Sequence, residues 1–205
     1  MSKQDIERQL RNWSLTRRAW EDMRHEWQSL DMAGESLARV DLRHAYLRGA
    51  NFGGVNLDGA DFTEAYLRGA SFQGANLVGA VFSGANLRAA SFVGANLREA
   101  DFSRGISHIR RTNLMGADFR GAILEGVHMD EVEAIEANFD GAAFSCTFCG
   151  EGCRPRLRDA DFTGATFVGA DLRNLDFSHA TTLDIDLKDA NLTGATFREY
   201  PSKSD

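Results

Sequence analysis

From Leu37 onward a large apolar residue returns every five positions: Leu37, Leu42, Leu47, Phe52, Leu57, Phe62, Leu67, Phe72, Leu77, Phe82, Leu87, Phe92, Leu97 and Phe102. Two residues before most of these centres stands a small one, as at Ala45, Ala50, Ala60 and Ala65. A step of five turns about 140° around a helix and changes face along a strand, so neither element would bury all the centres together. A chain that turns by a constant amount every five residues does bury them. Centre and small residue then point to an axis, and the other three positions face water. Asn51, Asn56, Asp61, Asn76, Asn86, Asn96 and Asp101 precede centres, where short polar side chains bond neighbouring backbone groups. Gly49, Gly54, Gly59 and their successors follow two residues after centres, where a positive φ costs glycine little.

A longer period lies within the short one. Leucine and phenylalanine alternate strictly from Leu47 to Phe102, so the repeat is ten, and Arg48, Arg68 and Arg88 recur every twenty. Four sides of five residues account for both.

The A-[DN]-[LF]-x-x pattern, running over roughly residues 35–199, resembles that of the pentapeptide repeat family. The resemblance implies an all-β solenoid, a right-handed four-sided parallel β-helix of about eight coils, which at roughly 4.8 Å per coil makes a rod of about 40 Å. No repeat buries its core alone, so stability comes from stacking and the ends need protection. The expected organisation is an N-terminal amphipathic helix over 1–34, the repeat over 35–199 and a tail over 200–205.

The frame fails twice. The stretch "SRGISHIRRTN" (103–113) holds two residues more than the frame requires, and "SCTFCGEGCRPR" (145–156) holds three more. Loops bulging from a rigid scaffold are usual places for binding. Arg104, His108, Arg110 and Arg111 of the first insertion fall next in line to the Arg48, Arg68, Arg88 column, which predicts a basic stripe. Between the breaks the charge reverses: Asp118, Glu125, Asp130, Glu131, Glu133, Glu136 and Asp140 stand against Arg120 alone. Opposite charges on different parts of one rod suit a protein partner. The second insertion carries Cys146, Cys149 and Cys153; zinc wants four ligands, no fourth cysteine exists, and phase places Cys149 at a buried centre. No metal and no cofactor is expected, with these three thiols the weak alternative.

Residues 2–33 do not repeat. Ile6, Leu10, Trp13, Trp20, Met23, Trp27 and Leu30 share one helical face, opposite Arg8, Arg11, Arg17, Glu21 and Arg24. So large an apolar stripe must cover something: the open end of the first coil as a cap, or a docked partner. No second helix follows Phe197, so the last coil is expected to be open and to pair two copies end to end into a homodimer.

Composition narrows function further. Twenty glycines with two prolines indicate regular turning rather than flexible linkers. The charged N-terminus has no apolar run behind it, so a cytoplasmic protein without membrane contact is expected. Net charge −7 argues against direct nucleic-acid binding. The five histidines are scattered, and the glycines and carboxylates obey the turn period, so no catalytic constellation emerges and an enzyme is not expected. Within the family, the quinolone-resistance type has rods that resemble B-DNA and that bind and protect DNA gyrase or topoisomerase IV. The resemblance thus implies a non-enzymatic binding protein with a topoisomerase as candidate partner. The layout departs from that type, whose members pair through a C-terminal helix, whereas this chain has its helix at the N-terminus. The alternative is a scaffold or regulator that docks partners through the Trp helix or the acidic band.

Overall fold

A five-residue unit with Asn or Asp before its centre satisfies its backbone N–H groups between its own atoms and the neighbouring coils. The computed structural model describes residues 36–103, 111–145 and 154–198. Around the centre Leu57, its N–H donates to Asn76 O (2.8 Å), Gly59 N–H to Val78 O (2.8 Å), and Ala60 N–H closes the corner onto Leu57 O (3.0 Å). Asn76 N–H returns to Val55 O at 3.0 Å. The fifth N–H, that of Asp58, goes to the side chain of Asn56 at 3.3 Å. A short polar residue before the centre therefore supplies the one acceptor that the neighbouring coil does not, which is why the position favours Asn and Asp.

Every side is a corner as much as a strand. Parallel pairing is confined to one residue per side, as at Asn56↔Asn76, and widens only at β1 (Asp176–Phe177) against β2 (Thr196–Phe197). The residue two after the centre holds a positive φ: glycine at fifteen positions, and a strained side chain at others such as Ala89 (54°) and Glu136 (56°).

Coil-to-coil pairing is offset by twenty residues, so four sides make a coil as expected. Side 1 stacks Leu37, Leu57, Leu77, Leu97, Leu124, Phe144, Leu172 and Leu192. Side 2 stacks Leu42, Phe62, Phe82, Phe102, Met129, Leu157, Phe177 and Phe197. Side 3 stacks Leu47, Leu67, Leu87, Leu114, Ala134, Phe162 and Thr182, and side 4 Phe52, Phe72, Phe92, Phe119, Phe139, Phe167 and Leu187. Coils are numbered from the side 1 residue, so coil 1 begins at Leu37 and the eighth, beginning at Leu192, is partial. The parallel β-solenoid read from the sequence is thus observed; the N-terminal helix, with Ile6, Leu10, Trp13, Trp20, Met23, Trp27 and Leu30, lies outside the described residues.

The core is a ladder of rings. Along side 4, Phe72 lies on Phe92 at 5.0 Å and 5°, and along side 2, Phe62 lies on Phe82 at 4.9 Å and 2°. Across the axis the two stacks meet edge to face, as for Phe72 and Phe82 at 5.6 Å and 82°. Leucines on sides 1 and 3 fill the remaining space. This order changes in coils 5 and 6. Side 2 turns to Met129 and Leu157, Ala134 replaces leucine on side 3, and phenylalanine enters sides 1 and 3 as Phe144 and Phe162, all of them buried. Phe162 reaches Phe139 of the coil below at 5.8 Å, and Phe144 reaches it at 5.7 Å.

Both insertions are longer than the frame count in the sequence. The pairing offset rises to 27 at Asn86↔Asn113 and to 28 at His128↔Arg156, so seven and eight residues are added rather than two and three. The shorter counts assumed a further side within each insertion. The register has none: Leu114 follows Phe102 and Leu157 follows Phe144 as successive axial residues. Cys146, Cys149 and Cys153, and with them the axial place expected for Cys149, lie outside the described residues.

The C-terminal coil is less covered than the others. Leu183 is 53% exposed and Leu192 37%, while Ile185, Leu187 and Phe197 are half-buried. Leu187 and Leu192 N–H, which in earlier coils would bond the next coil, have no backbone acceptor among the described residues.

Candidate protein-binding face

The two insertions leave neighbouring corners of the rod. The first departs between sides 2 and 3 in coil 4, the second between sides 1 and 2 in coil 6. The points where the chain leaves and rejoins the register therefore lie on the two long edges of side 2, in coil 4 on one edge and coil 6 on the other. The outward residues of side 2 are Asp101 and Ser103 in coil 4, His128, Asp130 and Glu131 in coil 5, and Arg156, Arg158 and Asp159 in coil 6.

Thr112 fixes the exit of the first loop. It stands where other units have alanine and is fully buried; its hydroxyl accepts from Gly84 N at 2.8 Å and donates to Ser103 O at 2.9 Å. Gly84 N lies 3.3 Å from Ser103 O, so the hydroxyl reinforces a ladder bond that the departing chain has lengthened. Nothing in the sequence period pointed to this role, because the signal is a single hydroxyl in an alanine column.

On the face itself, Asp130 joins coils 5 and 6. Its carboxylate pairs with Arg156 at 2.7 Å and accepts from Arg158 N at 3.0 Å. Arg156 precedes the centre Leu157 where Asn or Asp would normally cap, so Asp130 supplies the missing acceptor from below. Asp140 does the same on side 4: it accepts from Val168 N at 2.9 Å, where Thr166 replaces Asn or Asp. Two members of the acidic band thus have backbone-capping roles. Arg158, strongly exposed and 3.5 Å from Asp159, remains the outermost cation of the face.

The other predicted site residues distribute around the rod. Arg48, Arg68 and Arg88 form the expected exposed column, on side 3. The next place in that column belongs to Met115, since Asn86 pairs with Asn113; Arg111 is exposed three residues before Leu114, and Arg104, His108 and Arg110 lie outside the described residues. Of the acidic residues, Glu125 faces out from side 1, Asp130 and Glu131 from side 2, Glu133 and Glu136 from side 3, and Asp118 and Asp140 from side 4. They make a girdle rather than one patch. Arginines temper it: Arg98 grips Glu125 with two bonds of 3.0 and 3.2 Å, and Arg120 grips Asp118 at 2.7 Å.

The Arg120 pair belongs to a motif that the repeat frame hid. Asp-Leu-Arg at 41–43, Asp-Phe-Arg at 118–120 and Asp-Leu-Arg at 171–173 each fold the guanidinium back onto the carboxylate two residues earlier, at 2.6, 2.7 and 2.7 Å. The guanidinium hydrogen bond holds the carboxyls of Asp41, Asp118 and Asp171 below their ordinary range. Among the described residues no group of three metal-ligating side chains comes together, and no helix is long and apolar enough to cross a membrane.

The comparisons agree with this architecture. The pentapeptide-repeat profile matches in eight copies over residues 36–74, 65–104, 112–145 and 156–198. No curated protein sequence matches. Among solved structures, a trypsin-treated form of QnrB1, a plasmid-mediated fluoroquinolone resistance protein, is similar at TM-score 0.60 and 20% identity, over 79% of each chain. A second QnrB1 structure is similar at TM-score 0.50 and 20% identity, covering 82% of this chain and 87% of that one. HetL, a pentapeptide repeat protein involved in heterocyst differentiation regulation from the cyanobacterium Nostoc sp. strain PCC 7120, is 30% identical at TM-score 0.35, covering 79% and 76%. These likenesses indicate no catalytic family. With the profile matching well over half of its length on top of a four-sided stack of five-residue units, the chain belongs to the pentapeptide repeat family.

Proposed function

We propose that this rod is a non-enzymatic protein-binding module whose contact surface is side 2 of coils 4–6 with the two loops that border it. The observation that carries the reading is the placement of both insertions on the long edges of one side. Each adds the number of residues that leaves the coil frame intact above and below, so the loops interrupt no stacking. A rigid rod with loops on one side presents a large surface at little conformational cost on binding. The surface carries both signs, with Asp101, Glu131 and Asp159 beside Arg156 and Arg158, which suits recognition of another protein.

The partner we propose is a type II topoisomerase of the gyrase class. Two features support it: the shared fold of QnrB1, whose solved structures are of a fluoroquinolone resistance protein, and the acidic coil girdle. Charge mimicry of DNA is partial. Residues 36–103 carry six basic and six acidic groups, and only 111–145, with two basic and seven acidic, is strongly negative. Duplex DNA carries one negative charge per about 1.7 Å, so recognition through the loops has to supplement charge. The test is a supercoiling assay with purified gyrase, with and without a fluoroquinolone. Protection from the drug together with direct binding supports the reading; neither binding nor protection overturns the choice of partner.

A further inference from the structure

Side 3 changes character along the rod in a way that matches its own reverse. Its outward turn column runs Arg48, Arg68, Arg88, Met115, Ile135, Thr163 and Leu183 from coil 1 to coil 7. The first three are exposed cations, the next two are half-buried apolar residues, and the far half is flanked by Glu133, Glu136, Asp161 and Asp184. On one flank of the arginines the column is Gly49, Gly69 and Ala89, which leaves that flank open; on the other it is Tyr46, Tyr66 and Asn86, with the two tyrosine rings stacked at 4.4 Å.

We propose that side 3 is a self-complementary face along which two copies of this chain pair side by side and antiparallel. A two-fold axis through coil 4 sets Met115 against its own copy at the centre. Coil 3 then faces coil 5, so Arg88 enters between the copy's Glu133 and Glu136. Coil 2 faces coil 6, bringing Arg68 to Asp161, and coil 1 faces coil 7, bringing Arg48 to Asp184. The same coil spacing on both copies keeps these pairs in step along the face, which a partner of different repeat cannot do. Every contact is made twice, as a two-fold interface requires. The parallel arrangement is disfavoured because it stacks arginine on arginine. The pairing is argued from side 3 and the proposed function from side 2, so the charge-reversal test and the gyrase test can fail independently.

From Arg48 to Leu183 the face spans six coil steps, about 29 Å at 4.8 Å per coil. A contact one side wide and of that length makes a small interface, so the pair is expected to be weak and to weaken further with salt.

The experiment is sedimentation equilibrium of the full chain and two charge-reversed variants. Variant one carries Arg88→Glu; variant two carries Glu133→Arg and Glu136→Arg. All three positions face outward, and unchanged thermal melting of each variant checks the fold. The wild type is expected to dimerise at about 50 mM salt and to dissociate at about 500 mM. Each variant alone is expected to lose dimerisation by about tenfold or more in Kd, and an equimolar mixture to regain it, because both halves of the mixed face are then complementary. A wild type that stays monomeric at low salt overturns the proposal, and so does a mixture that stays monomeric. A dimer indifferent to both variants but lost on Leu192→Asp also overturns it, in favour of end-to-end pairing.

Discussion

Asp140 accepts a hydrogen bond from Val168 N because Thr166, the residue that would normally cap it, has a side chain unsuited to the task. Removing that acceptor leaves a backbone N–H without its bond, a loss of about 1 kcal/mol. Asp140→Ala should therefore lower stability by about that amount in denaturant unfolding, while Asp140→Asn, which keeps an acceptor, should not. The corner position two after a centre gives an opposite prediction. Ala89 holds φ at 54°, and relief of that strain by Ala89→Gly should raise stability by about 1 kcal/mol, read by the same unfolding curve. Acid is expected to act through the aspartates. The carboxyls of Asp41, Asp118 and Asp171 sit below the ordinary value near 3.8 because an arginine bonds each, and that of Asp176 does so because Ser178 bonds it. A depressed folded-state pKa contributes stability that is present above about pH 4 and lost as pH falls through the lower folded values. Unfolding midpoints should thus fall below pH 4, and less steeply in Arg120→Ala. The local role of Asn51, Asn56 and Asp61 was legible in the sequence because it depends on residues two apart. The roles of Asp130, Asp140 and Thr112 were not, because each acts on a partner 28 residues away, an offset that exists only once the loop lengths are known.

At the scale of the coil, the alternation of leucine and phenylalanine places two opposed ring stacks across one axis, and it held from Phe52 to Phe119. Beyond that the coils share volume differently. Ala134 takes an axial place that leucine holds in coils 1–4 of side 3, and Phe162, next above it on that side, lies 5.8 Å from Phe139. Restoring the leucine alone overfills the core. Ala134→Leu should destabilise by about 2 kcal/mol, and Phe162→Leu in the same chain should recover most of that loss. Additive losses in the double variant would contradict volume exchange between these coils. The period told which positions face inward, but not which of them trade size. That depends on stacking order, which the insertions shift by seven and eight residues while the sequence frame shifts by two and three.

At the scale of the molecule, a four-sided rod gives each surface column an address, and those addresses reorganise the charges read from the sequence. The acidic band encircles the rod instead of facing one way, and the arginine column passes into Met115 and Ile135 instead of the first loop. What the sequence did mark was where the pattern stops, and both stops border side 2. The frame also allows them to be removed cleanly. Deleting 104–110 joins Ser103 to Arg111 and sets Leu114 five places after Phe102; deleting 146–153 joins Ser145 to Arg154 and sets Leu157 five places after Phe144. Because the loops interrupt no stacking, the doubly deleted chain should remain a folded rod, with Phe102, Leu114, Phe144 and Leu157 still in their axial places. The most direct test compares that chain with the wild type in binding to purified gyrase and in protecting its supercoiling from a fluoroquinolone. The account predicts that the wild type binds and protects while the loop-deleted rod, unchanged in its circular dichroism, does neither. Equal binding and protection by the loop-deleted rod would contradict it.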